Sequence, residues 1–256
     1  MEQGSDANDR KRSTAAHFGS HADEYLDSDV HRSGADLDQL AAWCESARRG
    51  LDVATGAGHT AGALVDAGVD RVVATDVASD MVRTATTAYP AVEGVVCDAE
   101  TLPFGADAFD AVTCRIAAHH FPDPVAFVEA VARVLEPGGT FAFEDNVAPA
   151  DDALDDFLNT VERLRDPTHV RSHRVDDWVK WLEAAGFTVE TARVIDKTLV
   201  YDDWVETVET PAERRERLEA TFADPPAGAV EAFDVTRRNG EMESFANQKV
   251  LLRATR

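Results

Sequence analysis

Five short apolar segments alternate with helix-like segments between Leu51 and Asp145, and this alternation constrains the fold more than any other feature of the chain. The apolar segments are LDVAT, RVVATD, EGVVCD, AFDAVTCR and GTFAFED, and segments of helical spacing such as HTAGALVDAG and PVAFVEAVARVLEPGG separate them. Strands that are separated by helices form a parallel sheet with right-handed crossovers. The sequence therefore predicts an α/β fold in which the carboxyl ends of the strands meet at one edge of the sheet.

The second half of the chain predicts two further strands and a helical insertion. FTVETARVID is typical of a sixth strand and NQKVLLRATR of a final one, with helical periodicity from Tyr201 to about Val235 between them. We expect residues 1–16 to be a disordered tail, because they are polar and show no pattern. We expect residues 17–256 to form a single domain, with lid helices over 17–48 and a helical cap over 197–243 that covers the ligand crevice.

The charge of the chain restricts its partners. Asp and Glu number 48 against 25 Lys and Arg, which gives a formal net charge of −23. Such a chain repels nucleic acids and anionic membranes, and its acidic residues are scattered as in a surface coat. We interpret the charge as the adaptation of a halophile to a salty cytoplasm. The chain has no long apolar run and no apolar amino-terminal stretch, so we expect a cytoplasmic location and no membrane insertion.

Three cysteines occur, and their spacing does not suggest a metal site. Cys44, Cys97 and Cys114 form no CxxC pair, and the last two fall in apolar strand-like segments. A thiol in such a segment is usually a small buried hydrophobe. We therefore expect no bound metal.

A turn of small residues follows the first predicted strand, in LDVATGAGHTA. Gly56-x-Gly58-x-x-Ala61, with Asp76 at the end of the second strand, matches the dinucleotide fingerprint, which suits either NAD or S-adenosylmethionine. Asp52 within the first strand is costly to bury without a cation, which the ammonium or sulfonium group of S-adenosylmethionine supplies. NAD would instead bring a pyrophosphate that Asp52 repels. Asp98, at the end of the third strand, suits the adenine amino group.

On these motifs the sequence resembles the class I S-adenosylmethionine-dependent methyltransferases of the ubiquinone/menaquinone C-methyltransferase-like superfamily. The resemblance rests on LDVATGAGHTA, DVASDMVRTA, CDAETLPFGADAFDAVTCRIAAHHFPDP and VARVLEPGGTFAFED, in that order. It implies a Rossmann-like, seven-stranded, mostly parallel sheet with an antiparallel last strand and helices on both faces. It also implies methyl transfer from S-adenosylmethionine, with S-adenosylhomocysteine as product, to a small-molecule acceptor in a subgroup of undefined substrate. The family usually has glycine where this chain has Ala54.

The resemblance also implies roles for individual residues. Methionine and ribose would contact the first turn, with Asp52 near the amino group, and Asp76 would bind the ribose hydroxyls. Met81 would pack against adenine, Asp98 and Ala99 would hold its edge, and the fourth strand end would flank the methionine end of the cofactor. The implied cofactor-binding residues are Asp52, Ala54, Gly56, Gly58, Asp76, Val77, Met81, Asp98, Ala99, Arg115 and Ile116.

Candidate catalytic residues follow the fourth and fifth strands. His119 and His120 lie after the fourth strand, where an imidazole suits a general base, and the alternative interpretation is that they cap the following turn. Asp145 ends the fifth strand and is the alternative base. His17, Tyr25 and His31 fall in the expected lid, where contact with the ligand and a purely structural role are equally expected.

Two other functions remain open on the sequence alone. An NAD-dependent oxidoreductase would use the glycine turn but leave Asp52 and Asp98 without a purpose. A non-catalytic S-adenosylmethionine-binding module would need no general base. The sequence does not determine the methyl acceptor, the atom methylated or the oligomeric state.

Overall fold

The computed structural model describes residues 2–27 and 32–256, with side chains apart from those of residues 2–6, 23, 24 and 27. The helices and strands alternate through the first half of the chain, as the sequence predicts. The helices are α1 (Glu2–Ser20), α2 (Ala22–Asp27), α3 (Ala35–Trp43), α4 (His59–Asp66), α5 (Ser79–Ala88), α6 (Pro124–Val134), α7 (Asp152–Arg165), α8 (Val175–Ala184), α9 (Tyr201–Glu206), α10 (Ala212–Ala223) and α11 (Ala229–Ala232). The strands are β1 (Arg49–Val53), β2 (Arg71–Asp76), β3 (Val92–Val96), β4 (Phe109–Arg115), β5 (Leu135–Asn146), β6 (Thr188–Val200), β7 (Thr236–Arg238) and β8 (Glu241–Thr255).

The strands form one mixed sheet in the order β3-β2-β1-β4-β5-β8-β6, and β7 pairs with β8. Strands β1 to β5 pair with one another in parallel, whereas β8 runs antiparallel to β5 and β6. The predicted Rossmann-like, mostly parallel sheet with an antiparallel last strand is therefore confirmed. The described residues add one strand to the seven expected, because the three-residue β7 forms a short hairpin with β8.

Apolar side chains cover both faces of the sheet, as a parallel sheet requires. On one face, Phe127 and Trp178 pack against Phe141 and Phe143 of β5. On the other face, α4 packs through residues such as Leu64 against β1 and β2, and α3 packs through residues such as Leu40 against α4 and β5. The sheet is consequently a rigid support, and the carboxyl ends of its central strands have a fixed spacing.

The helical insertion has an apolar core of its own. Helices α7, α9, α10 and α11 enclose side chains that include Phe157, Trp204, Phe222 and Phe233, with Phe245 of β8. This cap is carried by a two-stranded ribbon, because β6 pairs with β8 as far as Val200 although the pairing of β5 with β8 ends at Asn146. The inserted helices begin at Tyr201, where the helical periodicity of the sequence begins, and residues 197–200 of the expected cap belong to β6.

The amino terminus differs from the prediction. Residues expected to be a disordered tail belong to α1, which begins at Glu2. Only a few apolar side chains in the described part of α1 contact the rest of the protein, and they do not form a periodic pattern in the sequence. Among them, Ala15 and Phe18 pack near Met81 and Ala78 of the sheet domain. Tertiary contacts, and not intrinsic propensity, therefore account for this helix.

Within the described ranges, no helix has the length and apolar character that crossing a membrane requires. The same residues contain no cluster of three or more His, Cys, Asp or Glu arranged to hold a metal ion. Cys44 and Cys114 are buried free thiols and Cys97 is partly buried.

Candidate active site

A large cavity lies at the carboxyl ends of β1, β2 and β4, with an empty volume of about 1030 Å³ that includes open solvent. Open α/β sheets bind ligands at this edge. Helix α1 and the segment around Tyr25 form the opposite wall. The predicted residues that border the cavity are Tyr25, Ala54, Gly56, Asp76, Val77, Met81, Asp98, Ala99, Arg115, Ile116 and His120.

The turn after β1 is built from backbone conformations that L-residues rarely adopt. Ala54, Gly56 and Gly58 have φ angles of 53°, 54° and 93°. A side chain at Gly56 would meet no protein atom within 4 Å, whereas a Cβ at Gly58 would lie 2.7 Å from the Cβ of Ala85. Gly56 therefore leaves room for a ligand, and Gly58 permits the turn to pack against α5. Ala54 adopts the left-handed conformation without being glycine, which costs about 1–2 kcal/mol.

Asp76 connects this turn to β2. Its Oδ2 accepts a hydrogen bond from the backbone N–H of Gly56 at 3.0 Å, and its Oδ1 accepts one from Ala78 at 2.9 Å. The side chain is buried, and burial raises the pKa of this carboxyl above its usual value. Asp76 therefore fixes the segment before α5 and also presents a carboxylate to the cavity.

Asp52 lies beneath the turn and does not border the cavity. Its Oδ2 accepts a hydrogen bond from Thr55 Oγ1 at 2.6 Å, and its Oδ1 accepts one from Thr113 Oγ1 at 2.7 Å. Burial raises the pKa of the Asp52 carboxyl to about 6 in spite of these hydrogen bonds. The residue holds the turn in place from below, so any attraction to a cationic cofactor acts across the turn.

The opposite end of the cavity carries the adenine-binding candidates. Asp98 Oδ1 accepts a hydrogen bond from the backbone N–H of Glu100 at 2.9 Å, and the buried Met81 forms part of the wall. Lys11 of α1 reaches across and pairs with Asp98 Oδ2 at 2.6 Å and with Glu100. The sequence analysis missed Lys11, because it falls in the segment expected to be disordered.

Arg115 and Ile116 mark the end of β4. Arg115 is buried and donates to Glu144 Oε2 at 2.8 Å and to Asp36 Oδ2 at 2.7 Å, so its charge is compensated from β5 and from α3. Ile116 has a φ of 54°, and its N–H donates to the carbonyl of Glu144 at 2.7 Å. A β-branched residue in this conformation is a genuine outlier, and such strain is concentrated at functional sites.

The three catalytic candidates form a connected group. His119 Nδ1 lies 2.6 Å from Asp145 Oδ1, and both side chains are buried. Although burial opposes it, the neighbouring Asp145 raises the pKa of His119. The ring of His120 lies 4.2 Å from that of His119, and burial together with His119 lowers the pKa of His120 to about 4. Only His120 borders the cavity.

The lid candidates have different positions. Tyr25 borders the cavity, and so does Phe18, whose ring packs on His120 at 4.9 Å. His17 lies next to Phe18 but does not border the cavity, and burial lowers its pKa. His31 lies outside the described residues. No residue of the 197–243 insertion borders this cavity among those described, so the cap does not cover it as expected; α1 does.

An α/β sheet with a ligand cavity at its carboxyl edge is the architecture expected of a class I methyltransferase, and comparison with known proteins agrees with this class. A family model described as a methyltransferase domain matches residues 51–143. The uncharacterised methyltransferase YcgJ of Bacillus subtilis is 35% identical over 243 residues, which cover 92% of this chain and 96% of YcgJ. The chain therefore belongs to the methyltransferase family.

Solved structures and a further relative extend the comparison. A candidate methyltransferase from Bacillus halodurans superposes with a TM-score of 0.82 at 37% identity, covering 87% of this chain and 99% of that one. A demethylmenaquinone methyltransferase of Renibacterium salmoninarum is 36% identical over 92 residues, which are 36% of this chain and 38% of the relative. The likeness to the Bacillus halodurans structure extends over 87% of this chain, and the likeness to the demethylmenaquinone methyltransferase over 36% of it.

Proposed function

We propose that the protein transfers a methyl group from S-adenosylmethionine to a small-molecule acceptor. The observation that carries the proposal is the cavity at the carboxyl edge, with a carboxylate at the end of β2, a second at the end of β3 and a strained turn after β1. When bound, the cofactor supplies a methyl group that is already activated on a cationic sulfur. The tasks of the chain are therefore to bind, to orient and to exclude water.

The residues at the cavity fit this cofactor from one end to the other. Asp76 has carboxylate oxygens for two ribose hydroxyls, and Asp98 with Ala99 suits the adenine edge. Gly56 leaves its side-chain space open, so the backbone of the turn is accessible to methionine and ribose. Further cofactor contacts are assigned to Ala54, Val77, Met81, Arg115 and Ile116. Asp52 and Gly58 do not border the cavity and act by holding the turn in place.

The oxidoreductase alternative has less support than methyl transfer. The site concentrates carboxylates at Asp52, Asp76 and Asp98, and a pyrophosphate at the turn would be repelled by the buried Asp52. Membership of the methyltransferase family also favours the sulfonium cofactor. The acceptor is a separate question: the relative named for demethylmenaquinone matches over only 92 residues, which does not determine what this chain methylates.

The cofactor proposal is tested by calorimetry and thermal shift in molar KCl, with S-adenosylmethionine, S-adenosylhomocysteine and NAD as separate ligands. A ligand at a hundredfold excess over its Kd stabilises the fold by about 2.7 kcal/mol, which a melting curve resolves. Asp76→Asn should weaken S-adenosylhomocysteine binding by roughly tenfold or more, because a charged acceptor is lost. Asp70→Asn, at an exposed position before the same strand, is the matched control.

Two outcomes would revise the proposal in different ways. Stabilisation by NAD and not by S-adenosylhomocysteine would favour the oxidoreductase. Tight binding of S-adenosylhomocysteine, without transfer of a labelled methyl group to the small-molecule fraction of a cell extract, would favour a non-catalytic binding module.

We further propose that the net charge of −23 adapts the protein to a cytoplasm rich in salt. Self-repulsion of so many carboxylates destabilises the compact state, and salt screens it. The melting temperature should therefore rise from dilute buffer to molar KCl. A melting temperature that does not change would contradict this adaptation.

A further inference from the structure

The segment that follows α7 contacts His120, which borders the cavity, although the segment itself does not line the cavity. Thr168 is 7% exposed and Asp166 is 3% exposed, so both are part of the protein interior. The Nδ1 atom of His120 lies 3.1 Å from the carbonyl oxygen of Thr168 and 3.2 Å from its Oγ1. These two residues are 48 positions apart in sequence, so the contact is a product of the fold.

The chemistry of these partners fixes the tautomer of His120. A carbonyl oxygen only accepts hydrogen bonds, so Nδ1 of His120 must carry the proton. The hydroxyl of Thr168 donates to Asp166 Oδ1 at 2.6 Å, which leaves its oxygen lone pairs available to the same Nδ1–H. Nε2 of a neutral His120 is then unprotonated and has a free lone pair.

The surroundings of His120 keep it neutral. Burial lowers the pKa of His120, and so does the neighbouring His119, whose own pKa is raised by its contact with Asp145 at 2.6 Å; Asp166 acts in the opposite direction. Phe18 packs on the His120 ring at 4.9 Å. A neutral imidazole with one defined lone pair is the form that a general base requires.

We propose that Asp166 and Thr168 orient His120, so that its Nε2 removes the proton from an acceptor methylated on a hydroxyl oxygen or on carbon. This inference rests on the proposed function and assigns a role to two residues that the sequence analysis did not single out. The reacting atom gains a methyl group and loses one proton, which passes to Nε2. Asp166 and Thr168 are positioning residues, and His120 is the catalytic residue.

The acidity of the methylated atom selects the class of acceptor. Once an oxygen or an aromatic carbon has formed its new bond to methyl, it is a strong acid, so a weak base suffices to deprotonate it. A methylated amine is an ammonium, with a pKa near that of Lys, about 10. Such an ammonium can leave the site as a stable cation without giving its proton to the protein. A base at the cavity is therefore needed for oxygen or carbon acceptors and not for amines.

The tautomer is tested by NMR on the full chain labelled with ¹⁵N-histidine and saturated with S-adenosylhomocysteine. Long-range ¹H–¹⁵N correlations at neutral pH should show His120 protonated at Nδ1, with the signal assigned by its loss in His120→Gln. Asp166→Asn and Thr168→Val keep the carbonyl of Thr168 but loosen the turn that positions it, because Asp166 Oδ1 accepts hydrogen bonds from the N–H and Oγ1 of Thr168 at 2.7 and 2.6 Å. Part of the His120 signal should therefore shift to the Nε2-protonated form in each variant. A wild-type His120 protonated at Nε2 would overturn the proposal, and so would two variants whose tautomer does not change.

Kinetics separate positioning from a general loss of structure. With ¹⁴C-methyl S-adenosylmethionine and the small-molecule fraction of a cell extract, His120→Gln should lower kcat by about 10²-fold or more, the range of general base catalysis. Thr168→Val should lower kcat about tenfold with little change in the KM for the cofactor, and Thr168→Ser should restore most of it. Thr160→Val, on the exposed face of α7, is the control. Equal losses in the Val and Ser variants would contradict a role of the hydroxyl.

The acceptor class is tested with ¹³C-methyl S-adenosylmethionine, because the chemical shift of the transferred methyl identifies its new neighbour. A methyl group on oxygen or carbon supports the proposal, and one on nitrogen overturns it. If the wild-type protein binds S-adenosylhomocysteine but transfers no methyl group, the proposed catalytic function fails, and the role of His120 fails with it.

Discussion

The buried carboxylate of Asp52 should make the stability of the protein depend on pH in a distinctive way. Its pKa is about 6 in the folded protein, against a usual value of 3.8. The difference of about two units corresponds to roughly 3 kcal/mol. Because the folded-state pKa is raised, the penalty is absent below pH 3.8, grows between pH 3.8 and 6, and is complete above pH 6.

Replacing Asp52 by Asn removes this titration while keeping the shape of the side chain. The free energy of unfolding of Asp52→Asn should exceed that of the wild type by about 3 kcal/mol at pH 7, and the difference should vanish near pH 4. Urea unfolding at half-unit pH intervals in molar KCl measures it. Asp70→Asn changes an exposed carboxylate of the same region and should show no such trend.

The affinity for the cofactor should rank the wild type and Asp52→Asn in the opposite order from their stability at pH 7. A cationic ammonium across the turn stabilises the Asp52 carboxylate, so S-adenosylhomocysteine should bind the wild type more tightly than Asp52→Asn. A pH-independent difference in stability would refute the argument that the carboxylate is buried at a cost. A variant less stable than the wild type at pH 7 would refute it as well.

Three further changes test the turn and the amino-terminal helix. Ala54→Gly should stabilise the fold by about 0.5–1 kcal/mol, because relief of the left-handed conformation exceeds the entropy cost of glycine. Gly58→Ala should cost about 3 kcal/mol through strain and overlap with α5, whereas Gly68→Ala, at the same φ of 93° with open space, should cost only about 1–2 kcal/mol. Lys11→Gln should speed S-adenosylhomocysteine dissociation roughly fivefold by releasing α1, and Arg12→Gln, at an exposed position, should not.

Each of these expectations has a contrary result. Denaturant unfolding would contradict the strain argument if Ala54→Gly were destabilised, or if the two glycine variants lost the same stability. Stopped-flow measurements would contradict the role of the helix if Lys11→Gln and Arg12→Gln released the ligand at the same rate.

Much of the sheet could be predicted from the sequence, because its signals are local. The apolar residues Leu51, Val53 and Ala54 and the glycines after them identify a buried strand and its turn without knowledge of the rest of the chain. Residues at strand ends, such as Asp76 and Arg115, come to one edge as a consequence of the parallel order alone. The cofactor half of the cavity follows from that order.

The other half of the cavity depends on contacts between distant segments, which local patterns do not encode. Lys11 lies in a polar segment whose helix forms only against the sheet domain, and Thr168 lies in a connection after α7. Asp52 was correctly placed in β1, but the direction of its side chain depends on Thr113 of a neighbouring strand. These residues could be recognised only once the strands and helices were assembled.

The length of the two-stranded ribbon formed by β6 and β8 sets the distance between the helical cap and the sheet. About five residue pairs, from Asp196 with Gln248 to Val200 with Ser244, extend beyond the end of β5, a reach of roughly 17 Å. Adding two residues to each strand would lengthen that arm by about 7 Å while every side chain kept its face. A change in the length of the ribbon alone can thus move the helical cap, without any change to the residues at the carboxyl edge of the sheet.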